Sequence, residues 1–117
     1  MKEEDHIQAN FHKWLYKEYP ECRLVAYHIA NEQTRQGISQ LIAMGLVSGV
    51  PDYHIAVPRG MYHSMYIEFK AEKGKVSDMQ KVVIGKLKEQ GHHVVVCYST
   101  EAAQEEFKTY WEYGTVS

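Results

Sequence analysis

Ile7, Phe11, Trp14 and Leu15 recur at helical spacing between Lys2 and Tyr19, and Pro20 follows where proline commonly closes such a segment. The pattern predicts an amphipathic first helix. Arg23–His28 is a run of strand formers, after which residues 31–36 are polar and Gly37 offers a break, so strand gives way to loop. Ile38–Val47 has room for a short helix before Gly45, Gly49 and Pro51 chop the chain into a turn leading to Asp52. A strand is expected over Asp52–Val57. Pro58-Arg59-Gly60 is a turn signal, and the apolar-rich run Met61–Phe69 is expected to return as the partner strand of a hairpin. Antiparallel pairing would put Asp52 and Glu68 near the same end of that hairpin, with the register left open.

Ser77-Asp78-Met79-Gln80 has the form of a capping box, in which Ser77 accepts from the backbone N–H of Gln80 and the Gln80 side chain bonds back. A helix should start there, bury Met79, Val82, Val83 and Leu87, and end at Gly91, which suits a left-handed residue. Val94–Tyr98 is a continuous apolar strand of the kind covered on both faces, and a last helix is expected over Thr100–Tyr113. The order is α-β-β-β-α-β-α. Strand, helix and strand in succession suggest a crossover, and the hairpin supplies antiparallel pairing, so the expected class is α/β with a mixed four-stranded sheet flanked by helices. Residues 1–117 are expected to form a single domain.

The 117 residues suffice for one core but not for a separate nucleic-acid module, so binding and chemistry would share one surface. With 44% hydrophobic and 24% charged residues the composition is that of a folded globular chain. A formal charge of −2 excludes the uniformly basic surface usual in sequence-independent DNA binders. The distribution is uneven, however: Lys70, Lys73, Lys75, Lys81, Lys86 and Lys88 crowd one stretch while acidic residues gather near the ends, leaving scope for a local basic patch. Cys22 and Cys97 fit no paired motif and sit among apolar residues, as reduced structural thiols do. Nothing resembles a signal peptide or a membrane span, so a soluble intracellular protein is expected, in the cytoplasm of a bacterial host if phage-encoded.

Glu68-Phe69-Lys70 carries the chemistry. In a strand the acid and the base project from one face about 7 Å apart, with Phe69 turned to the core. Alone, such a pair is usually a solvated edge, and an aspartate after proline is usually a turn residue. Together, with Ile67 and Phe69 marking a sheet interior, Asp52 and Glu68 converge with the Phe69 backbone carbonyl on an oxygen-lined site suited to Mg²⁺. Such an ion activates water and neutralises charge at phosphorus, while Lys70 serves either as base or as a stabiliser of charge. The seven histidines lack zinc spacing, since adjacent His92 and His93 would point to opposite faces of a strand.

Four motifs in order, Met44–Asp52, Tyr66–Lys70, Gly74–Gln80 and Leu87–Gly91 ahead of a valine-rich strand, give most of the chain a specific likeness. It resembles the VRR-NUC group of the PD-(D/E)XK nuclease superfamily, in particular its small stand-alone phage-type members. The resemblance implies a restriction-endonuclease-like core, Mg²⁺ (or Mn²⁺) held by Asp52 and Glu68, catalysis assisted by Lys70, and Gln80 beside the site, where capping is an equally good account of it. It also implies a metal-directed glutamate on the first helix. Glu4 falls nearer than Glu3 to the middle of the apolar stripe, at ~100° per residue, and a first-turn acid favoured by the helix dipole is the alternative. DNA contacts are expected from the segment of His28, Asn31 and Arg35 and from Lys73 and Lys75. The implied function is a metal-dependent DNA endonuclease leaving a 3′ hydroxyl, acting as a homodimer on branched DNA such as Holliday junctions. The alternatives are a nicking or restriction-type endonuclease without junction preference, and an inactive DNA-binding or assembly module.

Overall fold

Helix α1 (Glu3–Glu18) leads through a 3-10 turn (Pro20–Cys22) to strand β1 (Ala26–His28) and a short helix α2 (Ile38–Ala43). Strands β2 (Tyr53–Ile55) and β3 (Met65–Phe69), helix α3 (Asp78–Glu89), strand β4 (His93–Cys97) and helix α4 (Thr100–Glu112) complete the chain. This is a computed structural model describing residues 1–30 and 37–115, so Asn31 and Arg35 lie outside the described residues. The sheet runs β1-β2-β3-β4, antiparallel across the first three strands and parallel between β3 and β4, which α3 connects. The class is therefore α/β with a mixed sheet, and α2 is an addition to the expected order.

Three strands are shorter than their composition suggests, β2 spanning only Tyr53–Ile55 of the expected Asp52–Val57. Arg23–Val25 is a turn because Leu24 takes a left-handed conformation, φ 71°. The Tyr16 hydroxyl organises it, donating to the Ala26 carbonyl at 2.6 Å and accepting from the Leu24 N–H at 3.1 Å. In the hairpin, Arg59 and Tyr62 bond to each other's backbone at 2.9 and 3.2 Å around Gly60, so Met61–Ser64 belong to the connection and not to β3. The register pairs Tyr53 with Ile67, His54 with Tyr66 and Ile55 with Met65.

Helices α1 and α4 cover one face of the sheet, with an aromatic cluster between them. Fully buried Phe11 lies at its centre, 5.6 to 5.8 Å from the rings of Tyr53, Phe69 and Trp14 and 6.4 Å from Phe107. Buried phenols need partners. Tyr110 donates to the Val57 carbonyl at 2.6 Å, and Tyr53 pairs with His12 Nδ1 at 2.7 Å. Cys22 and Cys97 are unbridged and buried, and burial pushes their thiols up to about 11 and about 12, which keeps them protonated and inert.

The opposite face is packed less fully. Across it Tyr27 Oη meets His54 Nδ1 at 2.7 Å, His54 Nε2 meets Ser64 Oγ at 3.0 Å, and Ser64 Oγ meets His92 Nδ1 at 2.6 Å. Tyr66 stacks on His54 with centroids 4.2 Å apart. Helix α3 packs chiefly against β4, an edge strand that is only partly covered, because the neighbouring positions carry this polar and aromatic set and offer no aliphatic floor. Its expected buried face is consequently not buried within the chain. Met79 is 45% and Val82 55% exposed, and only Val83, Ile84 and Leu87 are half-covered. Ile42, Met44 and Val47 of the α2 region are exposed too.

Gly49 sets how closely the chain entering β2 approaches α3. It has φ 95°, and a Cβ there would lie 3.0 Å from the backbone C and O of Met79 and 3.1 Å from the Gln80 nitrogen. Gly49→Ala should lower stability in urea denaturation by about 1–3 kcal/mol, through left-handed strain and this collision. At Gly85, inside α3 with nothing within 4 Å of an added Cβ, Gly85→Ala should raise stability by up to about 1 kcal/mol. Shifts of the same sign would contradict this account of Gly49.

Candidate active site

The β2–β3 register, continued by one residue beyond the Tyr53–Ile67 pair, brings Asp52 opposite Glu68. Asp52 is fixed at both ends: its carbonyl accepts from the Ile29 N–H at 2.7 Å, and its Oδ2 accepts from the Phe69 N–H at 2.9 Å. Alternation along β3 sends Phe69 into the core, 5.7 Å from the Phe11 ring, and turns Glu68 and Lys70 to the other face. There Glu68 Oε2 accepts from Lys70 Nζ at 3.1 Å and from Gln80 Nε2 at 3.0 Å. Glu68 is only 3% exposed, and its second oxygen, Oε1, is buried without a hydrogen-bond partner.

The first turn of α3 orients Gln80. Ser77 Oγ accepts from the Gln80 N–H at 3.1 Å, and Gln80 Oε1 accepts from the Ser77 N–H at 2.9 Å. With its oxygen engaged by the cap, the amide presents its NH₂ to Glu68, so one side chain both caps the helix and touches the site. Sequence reasoning passed over two contributors. Gly49 brings this turn close, and Gly74 folds the chain over the stem of Lys70, where a Cβ would lie 3.4 Å from Lys70 Cβ and Cδ. Glycines inside the Val-Ser-Gly and Gly-Lys-Val motifs were the available signal.

Lys73 and Lys75 are exposed on the turn that covers Lys70. His28, on β1, meets Gln8 Nε2 through Nδ1 at 2.7 Å. Glu4, in the first turn of α1, lies near enough for its charge to raise the Asp52 pKa. Among the described residues no three His, Cys, Asp or Glu side chains form a group able to hold a metal, so the site's own geometry is that of a carboxylate pair.

Burial dominates the electrostatics. It pushes the Glu68 carboxyl up to about 7, the Asp52 charge adds to the rise, and Lys70 opposes it. Burial likewise raises Asp52, against the Phe69 N–H and Lys70. Among the described residues the buried Glu68 and the half-buried Asp52 share the Lys70 ammonium, and one Glu68 oxygen has no partner. A hard dication with oxygen ligands fits that deficit.

A stability profile follows for protein without metal. Below the ordinary carboxylate pKa, Glu68 is protonated folded or unfolded and its burial carries no charge penalty. Above about 7 it is ionised in both states and the penalty is full. The Glu68 contribution to stability in EDTA should therefore fall between about pH 4.5 and 7, by up to about 3 kcal/mol, beneath the opposite slope of the histidines that burial holds below their ordinary pKa. Urea midpoints of wild type minus Glu68→Gln against pH isolate it, and a difference that stays flat or rises over this interval would contradict the buried-carboxylate account.

Comparison with known proteins places the chain in a family. The sequence profile of the VRR-NUC domain matches residues 2–101. A solved structure described as a VRR_NUC domain protein superposes with a TM-score of 0.85 at 23% identity, covering 97% of this chain and 92% of that one, and shows that the fold is shared. A search of curated proteins finds no match. Asp52, Glu68, Lys70 and Gln80 all fall inside the matched span, and the chain belongs to the VRR-NUC family, a nuclease-type DNA-processing domain.

Proposed function

We propose that this domain is a divalent-metal-dependent DNA endonuclease in which Asp52, Glu68 and Lys70 are the catalytic residues. The observation that carries the proposal is the buried, unpartnered Oε1 of Glu68 beside Asp52 and Lys70. Asp52 and Glu68 would hold Mg²⁺ or Mn²⁺, with the Phe69 backbone carbonyl as a further oxygen and Glu4 at the margin. The chemistry the ion supplies when bound is polarisation of the phosphate and acidification of water.

The protein's own groups do the remaining work. Asp52, pinned by the Phe69 N–H, keeps one orientation through the reaction. Gln80 holds Glu68 from the helix side, which positions the carboxylate without adding charge. The Lys70 ammonium, 3.1 Å from Glu68, is placed to orient the attacking water or to stabilise negative charge building on the phosphate oxygens. Lys73 and Lys75 extend the positive charge from Lys70 toward the DNA backbone. The bond cleaved leaves a 3′ hydroxyl.

The substrate we propose is branched DNA, cut by a homodimer. Each chain provides one carboxylate pair, so incision of two strands calls for two copies related by a two-fold axis. The exposed Ile42, Met44, Val47, Met79 and Val82 of the α2 and α3 region supply apolar surface for such a contact. No helix among the described residues is long and apolar enough to cross a membrane.

A labelled four-way junction should be cut in Mg²⁺ or Mn²⁺ and remain intact in EDTA. Asp52→Ala and Lys70→Ala should each slow cutting by about a hundredfold or more, and rates equal to wild type would remove these residues from the mechanism. Light scattering should give a dimer mass for the wild type and a monomer mass for Val82→Asp, which should nick junctions without paired incision. A wild-type monomer that resolves junctions would overturn the dimer proposal.

A further inference from the structure

Away from the carboxylate pair, a cavity of about 470 Å³ opens between α1 and β1, the edge strand of the sheet, within the ~300–1,000 Å³ typical of small-ligand sites. Buried Ala26 and Tyr53, half-buried Gln8, His12 and Tyr16, and exposed Asp5 are among the residues that line it. The His12 ring lies 4.2 Å from Tyr16 and 5.7 Å from Tyr53. Both phenol oxygens are already engaged, Tyr16 with the Ala26 carbonyl and Tyr53 with His12. Tyr53, 1% exposed, is closed off by its neighbours, so what the cavity offers an occupant is mainly the ring surface of half-buried His12 and Tyr16.

Its charge and position narrow the occupant. Among the described residues no lysine or arginine lines it, and the Asp5 carboxylate at the mouth repels a phosphate or any other anion. A neutral, flat heteroaromatic group suits it. The cavity also stands at the scissile end of the sheet: Tyr53 follows Asp52 directly, His28 pairs with Tyr53 in the β1–β2 register, and Asp5 follows Glu4, whose charge reaches Asp52. Glu68 lies on the other face of the sheet, so a strand with its phosphate at Asp52 and Glu68 would bring a neighbouring base to this opening around the end of β2, past Glu4.

We propose that the cavity receives the base of an unpaired nucleotide beside the cleaved phosphate. The inference rests on the nuclease reading and deepens it, because it supplies a basis for selecting branched over uniform duplex. Withdrawing a base from a duplex costs stacking and pairing energy, and an unpaired base at a branch is spared most of that cost. Ring stacking is tolerant of base identity, so the cavity selects structure and not sequence.

Equilibrium binding in EDTA tests this with three duplexes: one carrying a single-nucleotide bulge, one with an abasic site in that bulge, and one fully paired. Wild type should hold the bulged duplex about tenfold more tightly than its abasic counterpart. Ala9→Trp, which fills the cavity from an exposed helix position, should bring that ratio toward one, with the melting temperature as the check on folding. Should that variant melt early, Gln8→Trp repeats the measurement from the mouth. A wild-type ratio near one, or a tenfold ratio that survives the filled cavity, overturns the proposal. If the same preparation still cuts junctions in Mg²⁺, the nuclease reading stands without the cavity; failure to cut any DNA removes both.

Discussion

An ionisable carboxylate taken out of water at the end of a central strand is the constraint around which this molecule is organised. Glu68 would be costly there without partners, and its surroundings answer that cost in different ways. Lys70 contributes charge, Gln80 contributes a neutral donor, and Asp52 adds a second acid that makes the deficit larger. With both acids ionised the cluster is short of positive charge, and in the free protein a proton on Glu68 makes up part of the shortage, which is what its raised pKa expresses. A structural salt bridge would balance its charges without one.

The two faces of the sheet divide the tasks. One carries the aromatic packing of α1 and α4 and accounts for most of the apolar burial. The other carries the carboxylates, the crossover helix and the chain of Tyr27, His54, Ser64 and His92. Donors can run in a single direction along that chain when both imidazoles are neutral, and burial together with His92 holds His54 below its ordinary pKa, in keeping with a neutral ring. Polar order of this kind gives an aliphatic helix little to pack on, which is why α3 keeps Met79 and Val82 at the surface.

Much of this was legible in the residues, and what was not has physical reasons. Period and turn chemistry located α1, α3, α4 and the hairpin, and the Ser77 to Gln80 box forms as its spacing implies. Side-chain alternation placed Glu68 and Lys70 on one face. The extent of β1, β2 and β3 was overestimated; in β1 and β3 strand propensity at Leu24 and Met61 yielded to a left-handed turn and to the tight Arg59–Tyr62 connection. The buried face assigned to α3 failed for a different reason: amphipathic spacing says which side of a helix is apolar, not whether the same chain covers it. Gly49 and Gly74 act through close approach of segments distant in sequence or folded back on themselves, which a linear pattern does not display.

The double engagement of Gln80 ties a helix end to an acid. Its oxygen holds the Ser77 N–H while its nitrogen holds Glu68, so fraying of the first turn of α3 and release of the Glu68 carboxylate are one event. When that turn opens, Glu68 loses a donor but gains water, and because burial is the largest cause of its raised pKa the carboxylate gives up its proton more readily. The helix end thus acts as a latch on the charge of the strand beneath it, and the time the latch spends closed sets how long Glu68 stays shielded and held in one orientation.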